Sequence, residues 1–210
     1  MSDRPAGGNP TNEHVLEEIR LRWSPVCFDA TPIEDETLRT LLEAARWAAS
    51  CFNDQPWHFV IAPRSDRASF QRLLSCLVDA NREWAQHAGA LVLVVASKSF
   101  RHNGKPNRWS WFDCGQATAY LMLEAVHQGL RAHAMAGFDA DAAHERCQLD
   151  VDQEAACFVA IGRHGELDEH SDALRERDAA ENQRIELARV VSQGGMGEPS
   201  PVVGAPAAKH

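Results

Sequence analysis

The apolar positions along the chain change period several times, and each change marks an element. Val15, Leu16 and Ile19 share one face of a helix that Asn12 can cap, with Glu13 near its positive end. Ser24-Pro25 stops this helix, because the residue before a proline avoids the α region. Thr31-Pro32 opens a second helix with Glu34, Asp35 and Glu36 in its first turn. Leu38, Leu41, Leu42 and Ala45 then repeat at helical spacing, and the helix runs to about Ala49. Asn53-Asp54-Gln55-Pro56 is a turn, and the aromatic and β-branched run Trp57 to Ala62 is a strand. Ser65 to Val78 is amphipathic, with Phe70, Leu73, Leu74 and Leu77 on one side. Leu91 to Ala96 is unbroken apolar sequence, the pattern of a strand buried on both faces. A polar loop over 99–109 precedes a long helix from Ser110 to His127, which Gly129 ends. A strand over Ala132 to Ala136, a helix over Asp139 to Cys147 and a buried strand over Ala156 to Ile161 complete the pattern. Helices and strands in this order predict a sheet covered by helices on both faces.

Composition narrows the partners. A formal net charge of −9 disfavours polyphosphate and anionic lipid, so neither nucleic acid nor a membrane surface is an expected partner. No apolar run approaches the length of a membrane span, and the N-terminus has no secretory signal pattern, which makes a cytoplasmic location the expectation. The six cysteines form no C-x-x-C and have no zinc spacing with histidine; free, mostly buried thiols are expected. Residues 1–11 read as a flexible arm, 12–190 as one domain and 191–210 as a flexible Gly/Pro-rich tail.

The most informative segment is Ala44 to Val60. A helix ends in small residues, and a polar loop then runs through Gln55-Pro56-Trp57 into a strand. Small residues let a flat ring approach the backbone, and Ser50, Asn53 and Gln55 offer groups to the polar edge of a heterocycle. Taken alone, the segment reads better as an ordinary helix end and turn. Four other stretches fall in a telling order: Arg22-Trp23-Ser24 before Phe28, Asn81 to Trp84, Asn107 to Asp113 with Gly115, and Ala134 to Asp139.

Together these segments resemble the nitroreductase family over about residues 13–190. The resemblance implies an α+β nitroreductase-like fold, a central mixed sheet flanked by helices, and a homodimer with two FMN sites at its interface. It implies that Arg22, Trp23 and Ser24 hold the phosphate side of FMN, with Arg184 adding a second basic group where Asn182 replaces another. Ser50, Cys51, Asn53, Gln55, Asn81, Ala136 and Gly137 are implied to line the ring. The implied activity is hydride transfer from NAD(P)H through the flavin to a nitroaromatic, a quinone or a similar small-molecule electrophile, in a ping-pong scheme with no side-chain acid. Weak or lost turnover, or another reaction on the same fold such as reductive dehalogenation or enal reduction, are the alternatives. Val26 and Trp84 stand where relatives carry basic residues, and a missing cation there implies a lower flavin potential.

Other chemistries lack their signatures. The chain has no G-x-G-x-x-G, Walker A, G-x-S-x-G or H-E-x-x-H, so no metal is expected. His164 and His170 read as surface residues, and Glu166 to Asp172 as a solvated loop.

Overall fold

A computed structural model describes residues 9, 11, 13–165 and 170–204. The chain divides into two compact units, Met1–Ala180 and Glu181–His210. In the first unit the elements run α1 (Glu17–Leu21), α2 (Asp35–Arg46), a one-turn 3₁₀ helix (Cys51–Asn53), β1 (Trp57–Pro63), α3 (Arg67–Leu74), α4 (Asp79–Ala85) and β2 (Ala90–Ser97). They continue with α5 (Ser110–His127), β3 (Arg131–Met135), α6 (Ala140–Arg146), β4 (Gln153–Gly162) and α7 (Asp172–Ala179).

The four strands form one sheet in the order β1-β2-β4-β3. All three pairings are antiparallel among the described residues, where a mixed sheet was expected. Every residue of β2 is buried, as its unbroken apolar sequence requires of a central strand. Alternation along the strands sends side chains to two cores. One face carries Leu91, Leu93, Val95, Phe158 and Ala160, packed with Phe70 and Leu73 of α3 and Trp84 of α4. The other carries Val92, Val94, Val159 and Ile161, packed with Leu38 and Leu41 of α2 and Cys114, Ala117 and Leu121 of α5.

The amphipathic stretch 65–78 forms only α3. The backbone then leaves the helix because Leu77 bridges to Phe138 and Val78 N–H donates to Gly137 O at 3.2 Å. These tertiary bonds compete successfully with continued helix, and α4 restarts at Asp79. The Asp66 and Asp139 carboxylates accept from the backbone N–H groups of Ser69 and Ala142, capping α3 and α6.

Asn9, inside the stretch read as a flexible arm, donates from Nδ2 to Ile19 O at 2.8 Å and to Arg22 O at 2.7 Å. It thereby closes the end of α1. The rest of that arm, apart from Thr11, lies outside the described residues, as do 205–210 of the tail and 166–169 of the acidic loop. The second unit contains one further short helix, α8 (Leu187–Val190), and turns in which Gly194, Gly197 and Gly204 take positive φ. Among the described residues, no helix is long and apolar enough to cross a membrane.

Candidate functional site

The sequence-derived site residues of the first unit fall into two groups. The first lies by β3, at one edge of the sheet. Arg22 follows α1 and is half-buried; its Nη1 donates to the hydroxyl of exposed Ser24 at 3.2 Å. Trp23 between them is buried, its ring edge-on to His164 with centroids 5.0 Å apart.

The chain just beyond is clamped from several sides. Asp178 of α7, 4% exposed, accepts from Val26 N–H at 2.6 Å and Cys27 N–H at 3.3 Å, and its other oxygen meets His164 Nε2 at 2.7 Å. His133 of β3 faces Pro25 O through Nδ1 at 2.7 Å, so Nδ1 carries the proton. Burial lowers the pKa of His133, and the guanidiniums of Arg177 and Arg22 act in the same direction. His170 is buried and reaches Phe28 O at 3.1 Å. Gly165 is a requirement of this packing, because a Cβ there would lie 2.6 Å from the Phe28 carbonyl carbon. His164 and His170, read as surface residues, are therefore structural. The polar sequence after Gly162 hid this role, since the burial there is of hydrogen-bonding groups rather than of an apolar stripe.

Asn81 and Gly137 complete this group. Asn81 Nδ2 donates to Gly137 O at 3.0 Å, and a Cβ on Gly137 would meet that same nitrogen at 2.6 Å. Gly137 is thus needed for contact with Asn81 inside the chain. Ala136 beside it is exposed. Trp84, at a position basic in some relatives, is fully buried; His133 packs against its ring at 4.5 Å and the Arg177 guanidinium lies 5.9 Å from its centroid.

The second group is the loop between α2 and β1, at the other edge of the sheet. Phe52, Asn53 and Gln55 take φ of 57°, 55° and 52°, three strained left-handed residues within four positions. Two buried carboxylates hold the loop in place. Asp113 Oδ2 on α5 accepts from Cys51 N–H at 3.1 Å, and Asp54 Oδ1 accepts from Arg101 N–H at 2.9 Å. Ser50 Oγ accepts from Gln55 N–H at 3.0 Å. Burial raises the Asp113 pKa, the Cys51 N–H partly offsets this, and the charge of Asp54 adds to the rise. Asn53 and Gln55 open onto a cleft of about 1180 Å³ whose wall includes Leu38, Leu42, Trp57 and Phe59. Arg184 belongs to the second unit, where it is exposed and donates to Gln183 O at 2.7 Å. Among the described residues no cluster of His, Cys, Asp and Glu has the makings of a metal site.

Comparison with known proteins finds a family and a shared fold. The family model described as Nitroreductase family matches residues 19–163. A crystal structure titled as an oxidoreductase containing FMN is 31% identical, with a TM-score of 0.85 over 90% of this chain and 96% of that one. A nitroreductase family protein of Clostridium difficile 630, 21% identical, shares the fold with a TM-score of 0.67 over 88% of this chain and all of its own. An uncharacterised 15.4 kDa protein of Mycolicibacterium smegmatis is 34% identical over 128 residues, 60% of this chain and 84% of its own. A Ralstonia nicotianae protein with the provisional name NADH dehydrogenase/NAD(P)H nitroreductase is 29% identical over 154 residues, 63% of this chain and 77% of its own.

Proposed function

Because this chain belongs to the nitroreductase family, we propose that it is an FMN-dependent oxidoreductase that takes its electrons from NAD(P)H and acts as a homodimer. The observation that carries the reading is the Arg22–Ser24 pair, a guanidinium and a hydroxyl 3.2 Å apart at the surface of a chain with net charge −9. That donor set fits a phosphate monoester. The clamp on residues 25–28 holds the pair in place, so the phosphate would meet groups already fixed by the fold. The strained loop presents Asn53 and Gln55 at fixed angles, which suits the edge of a flat heterocycle. When bound, FMN would supply the redox chemistry, accepting hydride from the nicotinamide and passing it to a nitroaromatic, quinone or similar electrophile. The protein's share is to hold the cofactor and to shape the space above it.

The two groups of site residues lie at opposite edges of one sheet, by β3 and by β1, which supports a site assembled from two copies. A surface suited to that assembly exists on α5. Trp111, Phe112 and Tyr120 are 49%, 65% and 46% exposed, and Trp109 just before the helix is 44% exposed. A patch of this kind marks an interface. Gly115 sits exposed among these residues, in mid-helix, with nothing within 4 Å of where its Cβ would be. Glycine costs a helix about 1 kcal/mol relative to alanine. Nothing among the described residues offsets that cost, whereas a second backbone packed against α5 would.

The test is an absorbance spectrum of the purified protein after incubation with FMN. Flavin bands near about 450 nm that co-purify through gel filtration and bleach under NADH or NADPH are expected. A protein that leaves the column without flavin after saturating incubation defeats the reading. Flavin that binds but does not bleach with either nucleotide defeats only the reductant.

A further inference from the structure

The segment that carries the Ser24 hydroxyl is tied to α7 along three routes. Asp178 Oδ1 accepts directly from Val26 N–H at 2.6 Å. Asp178 Oδ2 meets His164 Nε2 at 2.7 Å, and the His164 ring lies edge-on to Trp23 with centroids 5.0 Å apart. Pro25 O accepts from His133 Nδ1 at 2.7 Å, and the His133 and Trp84 ring centroids are 4.5 Å apart. The Arg177 guanidinium carbon then stands 5.9 Å from the centroid of Trp84. Arg177 thus precedes the residue that touches Val26, and its head closes the ring stack that starts at Pro25. α7 delivers this guanidinium to the patch that carries Arg22 and Ser24.

The head is exposed, and among the described residues it has neither an ion pair nor a hydrogen bond. Its helix neighbour Arg175, by contrast, pairs with Asp172. The chain has 30 acidic residues against 21 lysines and arginines, so carboxylate partners are plentiful and this arginine still lacks one. Beneath it the buried Trp84 Nε1–H has no acceptor among the described residues. A patch with donors in surplus suits an anion. A phosphate monoester carries close to two negative charges at neutral pH, whereas Arg22 supplies one positive charge. The sequence offered Arg184 as the second basic group, but Arg184 belongs to the second unit, while Arg177 shares the first unit with Arg22.

We propose that Arg177 is a second cation of the phosphate site and grips the phosphate of FMN together with Arg22 and Ser24. This inference rests on the FMN reading above and adds a residue to it. A guanidinium fork can meet two phosphate oxygens at once. The Asp178 clamp fixes the helix from which Arg177 reaches, and removal of the Arg177 head leaves the bonds of that clamp in place.

The experiment titrates the full-length protein with FMN and with riboflavin, which has the same ring and ribityl chain but no phosphate, and follows flavin fluorescence. Arg177→Gln should weaken FMN binding by about tenfold to a hundredfold, the range for one charge-assisted hydrogen bond. The loss should be absent with riboflavin. Arg177→Lys keeps the charge without the fork and should fall between wild type and Arg177→Gln. Inorganic phosphate as a competitor of FMN gives a second readout, and its inhibition constant should rise in Arg177→Gln. Unchanged FMN affinity in Arg177→Gln overturns the proposal. So does an equal loss for both flavins, the mark of an arginine that only steadies α7. Wild-type protein that binds neither flavin defeats the FMN reading and this inference with it, an outcome distinct from the other two.

Discussion

Val26 is 1% exposed, and its backbone N–H donates to Asp178 Oδ1. Its side chain belongs to the core beneath the sheet rather than to an open surface. The position was legible as a departure from relatives, and the resemblance implied that an arginine there would raise the flavin potential. Packing gives a different expectation. Val26→Arg must bury a guanidinium and several extra methylenes, and it should destabilise the fold by about 3 kcal/mol or more. A urea titration reads this directly; unchanged stability would show that the side chain escapes to solvent. Asp113 makes a second prediction at this scale, with the opposite sense from a salt-bridged carboxylate. Its pKa is raised by burial, so the folded state binds its proton more tightly than the unfolded chain does. Stability from this group is greatest below the ordinary aspartate value of about 4 and is lost as pH rises through the higher folded-state value. Asp113→Asn keeps an oxygen for Cys51 N–H and removes the charge. The melting temperature of the variant relative to wild type should increase from about pH 4 upward and then level off. A difference that stays flat with pH, or falls, contradicts the burial argument.

α7 shows how an element can dock without an apolar stripe. Its sequence Asp172 to Ala179 buries one large apolar side chain, Leu174, together with a carboxylate, Asp178. Asp178→Ala should leave two buried N–H groups, those of Val26 and Cys27, without their acceptor. Each unsatisfied group costs about 1–3 kcal/mol, so a loss near 3 kcal/mol is expected. Hydrogen exchange at those two amides should quicken more than in β2; uniform quickening would mean that α7 is not a local clamp. This mode of docking also explains what was legible and what was not. The hydrophobic period gave α5 at Ser110–His127, and β1, β2, β3 and β4 to within about three residues at each end, because burial of apolar faces decides those elements. It missed α7 and α4, and it carried α3 on through the turn at 75–78. In both places hydrogen bonds to distant backbone set the outcome, through Asp178 in one and through Gly137 O in the other. The candidate site followed the same division. The candidate residues stand out as motifs in the sequence, whereas the roles of His133, His164, His170 and Asp178 do not, because their partners are carbonyls and amides far away in sequence.

At the scale of the whole molecule, a site shared between two copies makes a prediction that a site within one copy cannot meet. Arg22 and Ser24 lie by β3, at one edge of the sheet, while Asn53 and Gln55 lie by β1, at the other. Arg22→Ala removes a charge-assisted bond worth about 1.5–3 kcal/mol and should weaken FMN binding by one to two decades. Asn53→Asp keeps a residue that tolerates positive φ, replaces an amide donor by a negative charge, and should weaken binding to a similar degree. In a homodimer, each variant alone would carry the same defect in both sites. Random reassociation of equal amounts makes about half of all dimers mixed. In a mixed dimer with shared sites, one site receives both lesions and the other receives neither. About one quarter of all sites should then bind FMN with wild-type affinity, although neither parent provides any. Fluorescence titration after mixed refolding measures that fraction. If each site is built within one chain, mixing restores nothing, and the titration remains the sum of the two weak parents.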